Sequence, residues 1–147
     1  MNKGLIALGA VIVVIIFILG GVFSLYNGLK ESEISVDAAY GQVENQMQRR
    51  SDLIPNLVNT VKGYDVHEKA VIEEVVNARA KLAGAQGVEQ MDAANTELTG
   101  ALGRLFAIAE AYPDLKANTQ YLELMRELSG SENRIAVARR DYNEAVR

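Results

Sequence analysis

Between Lys3 and Lys30 the chain carries no charged side chain; the 26 residues GLIALGAVIVVIIFILGGVFSLYNGL separate the two. The inner part, Gly4–Phe23, is almost wholly apolar. Twenty residues at ~1.5 Å rise make a helix of roughly 30 Å, the thickness of bilayer hydrocarbon. A helix that is apolar all round must be covered on every side, which few soluble folds achieve over this length. A cleaved secretory leader would have a shorter apolar region and a small-x-small cleavage site after it. Here the run is too long, and GGVFSLYNG offers only weak cleavage candidates. Residues 1–29 therefore read as a retained single-span anchor, with the lipid bilayer as its partner. Lys3 lies on one side and Lys30 on the other, with Arg49 and Arg50 further on, so the flanking positive charges set no orientation.

Beyond the span, residues 24–147 hold 14 basic and 19 acidic side chains. That balance excludes a nucleic-acid module, which would show a basic stripe. It also excludes bulk attraction to anionic lipid. The absence of cysteine suits either side of a membrane.

Residues 30–147 read as one helical-bundle domain. In its first stretch Val36, Tyr40, Val43, Met47, Arg50, Ile54, Leu57 and Val61 recur in alternating steps of four and three, a heptad seam as in a coiled coil. The phase survives Pro55, so the helix is expected to continue past it with a kink. A break there, with Asp52 as a new N-cap, is the alternative. Gly63 closes the stretch. The second opens at Asp65 and Glu68, whose spacing is that of a capping box. It continues through Val71/Ile72, Val75, Ala78 and Leu82 to a stop at Gly84. The third runs Val88, Met91, Asn95, Leu98, Leu102, Leu105, Ala109, Tyr112 and ends at Pro113. The fourth starts near Leu115 with the seam Asn118, Tyr121, Met125, Leu128, Glu132, Ile135, Arg139, Tyr142, Val146. It reaches Arg147 with no helix stop signal, so a C-terminal tail is expected beyond it. Short turns imply antiparallel neighbours. The expected fold is all-α: a single N-terminal transmembrane helix, then an antiparallel up-down-up-down four-helix bundle with long first and last helices. The first bundle helix is expected to run on from the span, with hinges at Gly20, Gly21 and Gly28.

Arg50 stands where the seam should be apolar. In an antiparallel pairing of the first and last stretches, partner numbers have a constant sum, which the turns place near 180. A sum of 182 sets Arg50 opposite Glu132 and brings Arg139 beside Glu44 or Val43. The leading reading is an internal ion pair that fixes register, since such pairs rarely add net stability. The functional reading turns Arg49, Arg50 and Asp52 toward a partner protein or a neighbouring copy. A third lets Arg50 snorkel to the surface. Pro55 is either a bend around the core or a docking knob whose freed backbone groups a partner uses.

No catalytic constellation stands out. His67 is the only histidine, and Tyr64, not Glu, precedes it by three, so the Glu-x-x-His pattern of di-metal bundles is missing. No nucleophile–base set and no phosphate-binding glycine loop is present. The expectation is no enzyme, no cofactor, no metal and no small-molecule substrate.

The segments RRSDLIPNLVNTVKGY followed by HE, then YPDLKAN, then ENRIAVARRDYNEAV, with YN at Tyr26–Asn27, resemble the LemA family of bacterial membrane proteins. The resemblance covers most of the chain. It implies one membrane helix and a helical bundle in a bacterial cell (inner) membrane, and it transfers no catalytic residue. Two functions are expected from the whole. The first is a non-enzymatic membrane-anchored scaffold or adaptor that forms homo-oligomers, helped by the alanines of the third stretch (Ala93, Ala94, Ala101, Ala107, Ala109, Ala111). The second is an accessory or regulatory subunit of another membrane protein, such as a peptidase, contacted through Arg49, Arg50 and Pro55.

Overall fold

The computed structural model describes residues 3–64 and 66–147, without the side chains of Lys3, Leu5, Ile6, Ala7 and Ala10. Every regular element among them is helical: α1 (Lys3–Lys62), α2 (Lys69–Gly84), α3 (Gly87–Ala109), α4 (Pro113–Lys116) and α5 (Thr119–Ala145).

Helix α1 is a single rod of 60 residues, roughly 90 Å long at ~1.5 Å per residue. It passes through Gly20, Gly21 and Gly28 without a break, and it contains Pro55. From residue 11 to residue 35 every side chain is exposed, Phe17 at 79% and Leu25 at 72%. The helix is long and apolar enough to cross a membrane. Below residue 36 one face turns inward and Val43, Met47, Arg50, Ile54, Leu57 and Val61 are buried, as the heptad phase requires.

Helix α5 lies along α1 in the opposite direction. The Tyr40 and Tyr142 rings meet at 6.3 Å, and Asn118 Nδ2 donates to the Tyr64 hydroxyl at 2.7 Å. Both pairs add to 182, close to the 180 set by the turns and equal to the sum that places Arg50 opposite Glu132. α2 and α3 form a second close antiparallel pair, tied by Lys81–Glu97 at 2.6 Å and by Arg104–Glu74. α2 also packs on α1. α3 and α5 stay apart at the backbone level and are joined by side chains: Arg139–Asp92 at 2.5 Å, Thr99–Glu132 at 3.3 Å, and Phe106 edge-on to Tyr121 at 6.4 Å.

Local chemistry explains the ends. Gly63 N–H bonds back to Asn59 and Thr60, closing α1. α2 begins at Lys69, so Glu68 is its N-cap residue rather than the third residue of a capping box; Asp65 lies outside the described residues. The Glu68 carboxylate instead accepts the Tyr112 hydroxyl at 2.8 Å. α2 does stop at Gly84, but the left-handed glycine of this turn is Gly87, at φ 78°. The last long helix starts at Thr119, four residues later than Leu115. Asn118 caps it, its Oδ1 accepting from Tyr121 N at 2.9 Å, while Leu115 is buried in the short α4. Here side-chain capping outcompetes the apolar phase, because the cap satisfies an otherwise orphan amide.

Candidate functional site

Arg50 is only 2% exposed, and the hydrophobic positions above and below it on α1 are buried with it. A guanidinium has five N–H donors and no acceptor. One of them is well placed: Nη1 donates to Asn95 Oδ1 on α3 at 2.6 Å. Nε has no partner. Burial pushes the guanidinium below its ordinary pKa, and the Glu132 carboxylate works against that shift. Yet Glu132 makes no direct ion pair with Arg50; it is exposed and accepts from the Thr99 hydroxyl.

The expected Arg50–Glu132 pair therefore fails, although the register behind it is right. The error is one of rotation. The stripe of α5 that faces the core is Tyr121, Leu124, Leu128, Ser131, Ile135 and Ala138. Ser131 is fully buried, with its hydroxyl donating to the Leu128 carbonyl at 2.6 Å. Small residues at 131 and 138 let α5 press against α1, and this turns Glu132 and Arg139 to the flank that faces α3. Arg139 accordingly pairs with Asp92 on α3, not with Glu44 or Val43 on α1.

The other singled-out residues lie on the outer side of α1. Arg49 is exposed and reaches Glu127 Oε2 at 3.5 Å; Asp52 is exposed and accepts from Gln48 at 2.8 Å. Pro55 is exposed and does not end the helix. Its missing N–H would have bonded the carbonyl of residue 51, four back along the helix. That carbonyl accepts from Arg79 Nε on α2 at 3.4 Å. The backbone group freed at Pro55 is thus used by a helix of the same chain.

Asn95, Arg79, Asp92 and Thr99 are thus site residues that sequence reasoning did not pair. Asn95 was visible as a polar intruder in its own seam. Arg79 could have been found by placing α1 and α2 antiparallel around the turn near residue 65, which sets 79 level with 51. The cluster holds charge and hydrogen bonds but no nucleophile set against a base. His67, near the tip, gives its backbone N–H to the Tyr112 hydroxyl at 3.2 Å. What the cluster can do is discriminate between helix pairings, since a buried charge tolerates only a neighbour that can hydrogen-bond it.

The model of the LemA family matches residues 39–147. Magnetosome protein MamQ 2 of Paramagnetospirillum magneticum is 25% identical over 82% of this chain and 54% of its own length, and Magnetosome protein MamQ 1 of the same organism gives the same figures. Protein LemA of Metamycoplasma hominis is 26% identical over 80% of this chain and 54% of its own length. The chain spans about half the length of the curated relatives it matches.

Proposed function

The chain belongs to the LemA family, and on that premise we propose that it is a non-enzymatic scaffold or adaptor that self-associates at a bacterial cell membrane. Residues 1–29 act as a single-pass anchor. Residues 30–147 act as the working domain, with α1, α2, α3 and α5 running up, down, up and down. The observation that carries the reading is the unbroken α1, which joins an exposed apolar half to a packed half without a hinge. A rigid connection suits a part that holds position rather than one that turns over substrate.

Self-association draws on the outer face of α3. The alanines divide there: Ala94, Ala101 and Ala109 belong to the core, while Ala93 and Ala107 face outward, as does Ala111 just past the helix end. The outward residues continue with Thr96, Gly100 and Gly103, all exposed. A helical glycine costs roughly 0.5–1 kcal/mol against alanine. Among the described residues, nothing beyond its chain neighbours and the backbone of its own helix comes within 4 Å of a Cβ built on Gly103, so no contact with another helix requires the gap, whereas close helix–helix approach between copies would use it.

Chemical cross-linking and mass measurement of the full chain in mild detergent test this. Oligomers that Gly103→Leu abolishes are expected; a strict monomer at every concentration overturns the reading. The second reading, an accessory subunit of another membrane protein, draws on the exposed Arg49, Asp52 and Pro55 side of α1. Affinity capture from native membranes separates the two, because a stoichiometric second protein supports the subunit and recovery of the chain alone supports the scaffold.

A further inference from the structure

A cleft of about 280 Å³ opens between the middle of α1 and the α2–α3 turn. Four features give it a chemical character. At one end stands Glu44, whose carboxylate makes no ion pair among the described residues. Ala83 and Ala85 form a second wall where α2 ends, and the carbonyl end of a helix carries partial negative charge. The one basic side chain of that last turn, Lys81, is drawn away to Glu97. Met47 and Met91, 3% and 6% exposed, supply an apolar, polarisable floor. At the other end lies Ser51, 1% exposed, with a hydroxyl that has no partner among the described residues. Its carbonyl is already held by Arg79, so that end disfavours a second positive charge. Asp52, the other nearby acid, is held by Gln48.

We propose that this cleft binds an aliphatic amine with a neutral hydrogen-bonding group one short alkyl chain from its ammonium. The ammonium sits at Glu44 and the end of α2. The alkyl chain lies on Met47 and Met91, and the neutral group meets the Ser51 hydroxyl. Glu44 and Ser51 are seven residues apart, ~10 Å along α1, which a five-carbon spacer with a hydrogen bond at each end spans without full extension. A lipid headgroup amine does not reach the site, because Glu44 stands about 30 Å up the rod from Phe23 at ~1.5 Å per residue. Two sources share the chemistry: a lysine residue of a partner protein, through its side chain and adjacent amide, or a free amino alcohol.

The test is a titration of the full chain in detergent micelles, labelled with 13C at the methionine methyls. With 5-amino-1-pentanol, saturable shifts are expected at Met47 and Met91 and not at Met125 on α5. Glu44→Gln should weaken binding at least tenfold. Ser51→Ala removes a hydroxyl with no partner, so the fold tolerates it; it should weaken 5-amino-1-pentanol about three- to fivefold while leaving pentylammonium unchanged. Cadaverine should bind less tightly than 5-amino-1-pentanol, because its second ammonium meets Arg79. Tighter binding of Nα-acetyl-lysine methylamide than of the amino alcohol supports the site and assigns a partner's lysine; the reverse order supports it and assigns a free amine. Absence of saturable shifts at Met47 and Met91, or equal binding by neutral 1-pentanol, overturns the proposal.

Discussion

Replacing Asn95 by Leu should be among the most damaging single changes in the bundle, although it puts an apolar residue into an apolar seam. Asn95 is 7% exposed, and its Oδ1 is the one acceptor among the described residues that holds the Arg50 guanidinium. A buried hydrogen bond to a charged group is worth roughly 1.5–3 kcal/mol. The upper end applies here, about 3 kcal/mol, because the change leaves a buried guanidinium without that acceptor. For a domain of this size that corresponds to a fall in Tm of roughly 6–12 °C. Arg50→Met removes the desolvated charge but orphans the Asn95 carbonyl. A gain of about 1–4 kcal/mol is then set against a loss of about 1–3, so stability should barely change. The double change Arg50→Met with Asn95→Leu removes charge and acceptor together and should exceed wild-type stability by about 1–4 kcal/mol. Thermal and urea unfolding of the full chain in micelles, followed by helical circular dichroism, measures all three. An unchanged Tm for Asn95→Leu, or a double variant no more stable than Asn95→Leu alone, refutes the reasoning.

Two further outcomes follow from other contacts. Arg79→Ala should cost about 1 kcal/mol, since it leaves the Ser51 carbonyl unpaired; in a Pro55→Ala background the restored backbone N–H fills that carbonyl, and a double-mutant cycle should show the cost vanish. Tyr121 is 2% exposed, and burial first, then the Glu110 charge, raises its pKa above the ordinary tyrosine value. The folded state therefore holds this proton longer than the unfolded state. Its stabilising effect is complete below pH ~10 and is lost as pH climbs through the folded value. Ultraviolet titration of tyrosinate should show one late-ionising ring that Tyr121→Phe removes.

The helices and their inward faces were legible because heptad spacing records burial directly. In α1 the periodic positions from Val43 to Val61 are all buried, Arg50 included. The antiparallel register of α1 and α5 was also legible, because short turns leave few offsets. What the spacing could not convey is rotation about a helix axis where two stripes compete. On α5 the larger residues at 132 and 139 suggested one stripe, while the small residues at 131 and 138 occupy the core, since close approach rewards lack of bulk. The acceptor for Arg50 was hidden for a related reason. Charge complementarity points to a carboxylate, but in a desolvated seam a neutral amide costs less to bury than a second ion. The start of α5 at Thr119 depended on one side-chain hydrogen bond from Asn118, which periodicity does not encode.

The unbroken α1 also settles an angle. Successive residues of an α-helix step by about 100° and rise ~1.5 Å, so the compass bearing of the bundle is locked to the bearing of the segment above it. Copies that touched through their upper halves would have no freedom to choose which flank of the lower halves met. One alanine inserted between Lys30 and Ser35 would swing the bundle by about 100° while lifting it ~1.5 Å, changing the facing sides of neighbours without altering any contact between the helices of a single molecule.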